Sequence, residues 1–216
     1  MEKDFEKLRQ KMVKEQLIKR GIEDEAVLKA FRKVAREKFM LEKNREYAYQ
    51  DGAQSIDAGQ TISQPYIVAL MLQSLGLNEG ARVLEVGTGS GYAAALLAEI
   101  AKKVYTIERI EELALKASKV LEKLNYHNVE VKVGDGSLGW EENAPYDAIL
   151  VSAAAPYVPE KLIEQLTVKG RLIIPIGKRN GIQQLKLITK KYRNKIKEEN
   201  LEYVRFVPLL GEDSWR

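Results

Sequence analysis

Three groups of residues in this chain have the types and spacing to bind and transform a small ligand. The first is a run of glycines: Gly87, Gly89 and Gly91 form a G-x-G-x-G turn between the apolar stretch Val83-Leu84-Glu85-Val86 and a helix expected from Ala93 to Ala101. Such a turn lets a ligand lie against bare backbone, with helix amides directed at it. A dinucleotide fingerprint, G-x-G-x-x-G, needs its third glycine where Tyr92 stands, so this spacing suits a different nucleoside ligand. The second group is carboxylates at strand ends. Val104-Tyr105-Thr106-Ile107-Glu108 is strand-like and ends in a carboxylate seventeen residues after Gly91. An acidic residue there can accept hydrogen bonds from both ribose hydroxyls, the alternative being a solvated helix start. Val129 to Val133 then runs into Gly134-Asp135-Gly136, where Asp135 is placed to accept from an adenine amino group. The third group is Thr61-Ile62-Ser63-Gln64-Pro65. Ser63 either caps the helix that follows or aims its hydroxyl, with the helix-start amides, at an anion. Spacing leaves both open.

The elements that must position these groups follow from periodicity. Phe5, Leu8, Met12 and Leu17 have near-helical spacing, ended by Gly21; Asp24 can cap a second helix carrying Val27, Leu28, Phe31 and Val34. These helices read as a small N-terminal cap. Phe39 to Gln64 shows little periodicity, but Tyr47, Tyr49, Ile56 and Ile62 argue for an ordered, functional loop. Pro65 suits the first turn of a helix that Gly76 stops. From Arg82 onward strands and helices alternate, which predicts a doubly wound parallel α/β sheet with its ligand crevice at the carboxyl edge. Further strands are expected over Tyr146 to Ser152, Gly170 to Ile176, Gln183 to Thr189 and Glu202 to Val207, with a helix over Glu160 to Leu166. The last strands lack intervening helices and predict an antiparallel edge. The sheet is therefore mostly parallel and seven-stranded. The expected division is 1–64, cap and substrate loop, and 65–216, the ligand-binding domain, in one compact unit.

Composition narrows the chemistry. The 216 residues suffice for one substantial core. The absence of cysteine excludes disulfides, thiolate metal sites and a cysteine nucleophile. The single histidine, His127, lies in a turn, so Ser-His-Asp catalysis and histidine metal sites are also excluded, and no metal is expected. The 35 basic and 31 acidic residues are interleaved and give a net charge of +4, a solvated surface rather than a nucleic-acid stripe. With neither an apolar span nor a signal-peptide pattern, the expected location is cytoplasmic.

Taken together, these residues resemble the class I S-adenosylmethionine-dependent methyltransferases, and within them the protein-L-isoaspartate O-methyltransferase family. The most specific match is Gly59-Gln60-Thr61-Ile62-Ser63-Gln64-Pro65-Tyr66, preceded by Gln54-Ser55-Ile56. Leu84 to Tyr92, Gly134-Asp135-Gly136, Ala144 to Ile149, Ala153-Ala154-Ala155-Pro156 and Arg205 to Leu209 extend the likeness over nearly the whole chain. The resemblance implies methyl transfer from S-adenosyl-L-methionine to the α-carboxylate of L-isoaspartyl residues in damaged proteins and peptides, with Ser63 as the active-site hydroxyl and Thr61 beside it. It further implies that Gly87, Gly89 and Gly91 approach the methionine portion, Glu108 the ribose, and Asp135 with Gly136 the adenine. Glu85 then either holds the turn or contacts the methionine amine. Leu210 to Ser214 is implied to help close the pocket. A monomer with no nucleic-acid or membrane partner is expected.

Two other readings compete. An RNA (tRNA) methyltransferase could use the same cofactor, but Val151-Ser152-Ala153-Ala154-Ala155-Pro156 lacks the Asn/Asp-Pro-Pro-aromatic motif of amino-group enzymes, and a cytosine-C5 enzyme needs a cysteine. A non-catalytic binding module predicts damaged glycines or carboxylates, and these are intact.

Overall fold

The computed structural model describes residues 4–192 and 195–216; the first three residues of the expected cap lie outside that range. Helix α1 (Phe5–Met12) is capped by the Asp4 side chain, which accepts from Lys7 N, and a π-helical turn, Val13–Leu17, carries it on to Gly21 at φ 85°. Helix α2 (Glu25–Lys33) starts where Asp24 Oδ1 accepts from the amides of Ala26 and Val27. The segment that follows is ordered as short 3-10 turns and a two-stranded pair, β1 (Gln54–Ser55) with β2 (Thr61–Ile62).

Helix α3 (Pro65–Leu75) then ends at Gly76, again in the left-handed region at φ 59°. The alternating part runs β3 (Arg82–Val86), α4 (Tyr92–Ala98), β4 (Lys103–Glu108), α5 (Glu111–Lys123), β5 (Val129–Val133), β6 (Tyr146–Val151), α6 (Glu160–Glu164), β7 (Leu166–Gly177), β8 (Gln183–Lys190) and β9 (Ile196–Val204). One seven-stranded sheet has the order β5-β4-β3-β6-β7-β8-β9. It is parallel from β5 to β7 and antiparallel from β7 to β9. The chain leaves β3 towards β4 on one side and returns at β6 on the other, so the ends of β3 and β6 form the switch point where a ligand crevice opens.

Side chains alternate between the two faces of β3. Val83 joins Met12, Leu17, Phe31, Leu72 and Leu97 in one buried cluster, and Leu84 joins Tyr105, Tyr146, Ile149 and Ile174 in the other. The N-terminal helices therefore share a core with the sheet.

The boundaries shift at the antiparallel edge. β7 begins at Leu166, four residues before the expected Gly170, and α6 is correspondingly short. The last strand is Ile196–Val204 rather than Glu202 to Val207. Pairing with β8 sets it, from Lys190 opposite Ile196 to Gln183 opposite Val204. Its Lys197, Glu198 and Glu199 lie on an edge strand with little to bury, so hydrophobic alternation could not mark it.

Candidate active site

The carboxyl ends of β3, β4 and β6 open into a cleft lined by the glycine turn, Glu108 and Ser152, where open parallel sheets bind small molecules. Gly87, Gly89 and Gly91 have φ of 92°, 52° and 84°, a region that glycine enters without penalty. The turn is fixed at both sides: Gly87 N donates to Ile107 O at 2.8 Å, and Gly89 N donates to Glu108 Oε2 at 2.9 Å. Glu108 Oε1 accepts from Ile110 N at 3.0 Å. One carboxylate thus ties the glycine turn to the start of α5 while it lines the cleft, and each oxygen keeps accepting capacity for a ligand hydroxyl.

Glu85 is fully buried beneath the turn. Thr106 Oγ1 donates to its Oε2 at 2.6 Å, and Thr88 and Thr106 hydroxyls lie 2.7 Å apart. Its Oε1 has no hydrogen-bond partner among the described residues, although Glu85 lines the cleft. Burial pushes this carboxyl up to about 8; the Thr106 hydrogen bond opposes the shift and the Glu108 charge adds to it. An orphaned, buried carboxyl oxygen beside a glycine turn fits the ammonium end of an amino-acid-bearing nucleoside.

The adenine-side pair separates. Gly136 lines the cleft, pressed so closely on Val86 that a Cβ would come within 2.4 Å of its Cγ1. The Asp135 carboxylate instead turns to its own turn and to the C-terminal segment. Its Oδ1 accepts from Ser137 N and Oγ, and its Oδ2 accepts from Glu212 N at 2.7 Å. Asp213 N donates to Ser137 Oγ, and Leu209 and Leu210 reach the cleft wall.

Thr61 and Ser63 come to the opposite wall, on β2 and just beyond it. The cap residue of α3 is Gln64, with no side-chain cap bond, so Ser63 does not serve as the N-cap. Thr61 and Ser63, together with Ser152 and Val207, also line a second cavity that opens beside Ile67, Ile182, Tyr203 and Phe206. The two cavities meet at these hydroxyls.

Several participants gave little sequence signal. Arg36 is completely buried under this wall, although it stands among charged residues in Arg36-Glu37-Lys38. Thr106 did leave a trace, as the one aliphatic hydroxyl in the strand Lys103–Glu108. Tyr92, which displaces the dinucleotide glycine, packs edge-on against Phe31 and Phe39 and serves as core. His127 is exposed, and among the described residues no group of acidic residues and histidine could hold a metal ion. Among the described residues no helix is long and apolar enough to cross a membrane.

A switch-point cleft with this glycine turn and these carboxylates defines a class I S-adenosylmethionine-dependent methyltransferase. The family model described as protein-L-isoaspartate(D-aspartate) O-methyltransferase matches residues 7–214. A protein-L-isoaspartate O-methyltransferase 2 of Pelobacter propionicus is 54% identical over 96% of this chain and 92% of its own. The Petrotoga mobilis protein-L-isoaspartate O-methyltransferase is 53% identical over 98% of this chain and 100% of its own. A solved protein-L-isoaspartate O-methyltransferase superposes with TM-score 0.86 at 32% identity, covering 95% of this chain and 67% of its own. A Plasmodium falciparum protein assigned to the same activity, in complex with S-adenosyl-L-homocysteine, gives TM-score 0.80 at 30% identity over 94% of this chain and 98% of its own. The chain belongs to the protein-L-isoaspartate(D-aspartate) O-methyltransferase family. It transfers a methyl group from S-adenosyl-L-methionine to the α-carboxylate of L-isoaspartyl residues in damaged polypeptides. The ester then closes to a succinimide, whose hydrolysis returns part of the population to the aspartyl linkage. The tRNA reading is not favoured.

Proposed function

We propose that transfer takes place where the two cavities meet, with Ser63 and Thr61 donating hydrogen bonds that orient the isoaspartyl carboxylate. The observation that carries this reading is their shared position: both line the cofactor cleft and the outer cavity, and Ser63 is not engaged as the helix cap. A carboxylate is ionised at neutral pH, so its attack needs no general base, in keeping with a cleft whose lining has no histidine. S-adenosyl-L-methionine supplies, when bound, an electrophilic methyl group on a sulfonium. The chain contributes proximity and alignment. Glu85 takes the methionine ammonium, Gly87, Gly89 and Gly91 pass along the methionine portion, and Glu108 takes the ribose. Gly136 lies against the adenine, and Asp135 serves that end by anchoring the segment that carries Leu210.

The outer cavity receives the polypeptide around the damaged residue. Ile182 and Tyr203, 60% and 72% exposed at its mouth, offer apolar surface to flanking residues. In this reading residues 1–64 carry the substrate wall and 65–216 the cofactor site. The enzyme works as a cytoplasmic monomer on proteins and peptides rather than on nucleic acid or a membrane, in line with its interleaved charge. Incubation with labelled cofactor and paired isoaspartyl and aspartyl peptides, with tRNA as a third acceptor, tests substrate and reaction together. Label is expected on the isoaspartyl peptide alone. Ser63→Ala is expected to lower kcat/KM by about 10²-fold, and full activity in that variant would defeat the Ser63 assignment.

A further inference from the structure

Arg36 is fully buried, at 0% exposure, and it forms no ion pair within the described residues. Its neighbours are a carbonyl at each of two points and an aromatic face. Nε donates to Ala48 O at 2.8 Å and Nη2 donates to Ser63 O at 2.8 Å. The guanidinium carbon sits 4.9 Å from the centre of the Tyr92 ring, at the first residue of α4. Nη1 has no hydrogen-bond partner among the described residues. Burial lowers the group to about 10, so it remains a cation at neutral pH. Keeping an unpaired cation out of water costs several kcal/mol, more than a neutral side chain would need to hold the same wall together.

What the cation grips is informative. Ser63 makes no other hydrogen bond among the described residues; its backbone carbonyl is held by Arg36 alone. The Ser63–Gln64 peptide is trans, so its N–H points opposite to its C=O. With the carbonyl drawn inward to Arg36, a trans peptide directs the Gln64 N–H away from the core, and both Ser63 and Gln64 line the outer cavity. That N–H has no acceptor within the described residues. A charged donor on the carbonyl also polarises the peptide unit and strengthens the donor at its far end.

We propose that Arg36 is a positioning residue for the substrate carboxylate, acting through the Ser63–Gln64 peptide. By fixing that peptide it presents two convergent donors, the Ser63 hydroxyl and the Gln64 N–H, to one anion. The inference rests on the reading of Ser63 given above, and extends it to a buried residue that touches neither substrate nor cofactor. Its stack on Tyr92 sets the donor wall against the helix that follows the glycine turn.

Arg36→Lys tests it, because lysine keeps the charge but cannot bridge two carbonyls and an aromatic face in one plane. The expected result is a fall of about tenfold or more in kcat/KM for an isoaspartyl peptide, while the Kd for S-adenosyl-L-homocysteine stays within about twofold. In a Ser63→Ala background the same substitution should cost clearly less than it does alone, since only the Gln64 N–H is then left for Arg36 to position. Parallel weakening of S-adenosyl-L-homocysteine binding would show a general loosening of the fold and overturn the proposal. Multiplicative losses in the double variant would overturn it too, as would unchanged kcat/KM in Arg36→Lys. An inert Ser63→Ala alone would defeat the Ser63 reading, and is distinguishable because it is scored without any change at Arg36.

Discussion

Thr106 donates to one oxygen of Glu85 at the floor of the cleft, opposing the burial that raises this carboxyl, and leaves the other oxygen without a partner among the described residues. Glu85 and Thr106 lie opposite each other on neighbouring parallel strands, so the bond follows from strand register.

Glu85 should make cofactor binding pH-dependent. With its carboxyl at about 8 in the empty protein, it is mostly protonated at neutral pH and must ionise to pair with an ammonium. Affinity for S-adenosyl-L-homocysteine is therefore expected to rise with pH up to about 8, and to lose that dependence in Glu85→Gln. Between the unfolded value of about 4.5 and the folded value of about 8, the native state binds one proton more than the unfolded state. The slope of stability with pH is then negative, so this group's contribution falls as pH rises through that window. Calorimetric titration and urea denaturation across the range measure both effects.

Glu108→Gln removes one of the two acceptor oxygens that hold Gly89 N and Ile110 N, and puts a donor where a ribose hydroxyl needs an acceptor. The expected loss in S-adenosyl-L-homocysteine affinity is about tenfold or more, from charge-assisted hydrogen bonds worth about 1.5–3 kcal/mol each. Isothermal titration reads it directly, and unchanged affinity would remove Glu108 from the ribose assignment.

Gly136→Ala places a Cβ 2.4 Å from Val86 Cγ1, a stiff side chain at the end of a central strand. Overpacking of this kind costs about 1–3 kcal/mol, to be seen as a lower urea midpoint with unchanged m.

Gly211→Ala acts on the cover rather than on the floor. Its Cβ would lie 2.1 Å from Asp135 Oδ1 and 2.4 Å from Ser137 Oγ, so the C-terminal segment must lift from its anchor. Weaker S-adenosyl-L-homocysteine binding and faster proteolysis near residues 210–216 are expected, with the urea midpoint little changed. Unaltered affinity and cleavage would show that this anchoring does not matter to the cofactor.

Much of the fold could be read from local pattern. Val83 to Val86 and Tyr146 to Val151 are apolar runs, interrupted only by Glu85 and Asp147, because both faces of a parallel strand are covered, and Gly21 and Gly76 stop helices because each sits in a left-handed conformation. β9 was harder to place, since an edge strand of lysine and glutamate carries no burial pattern. Asp135 shows the same limit within the site. Its flanking glycines mark a functional turn, but the direction of its carboxylate depends on the amide of Glu212, 77 residues further along, and through Ser137 on that of Asp213, 76 residues beyond Ser137.

The sequence by itself determined the cofactor class and the family, because glycine conformation, strand-end carboxylates and the Thr61 to Pro65 motif are local chemistry in fixed order. Only the tertiary structure decided how these parts act together: that Glu85 keeps an orphaned oxygen, that Ser63 leaves the cap to Gln64, and that Arg36 is buried behind it. Burial, register and the direction of a carbonyl are set by what packs from distant parts of the chain, and no run of neighbouring residues encodes them.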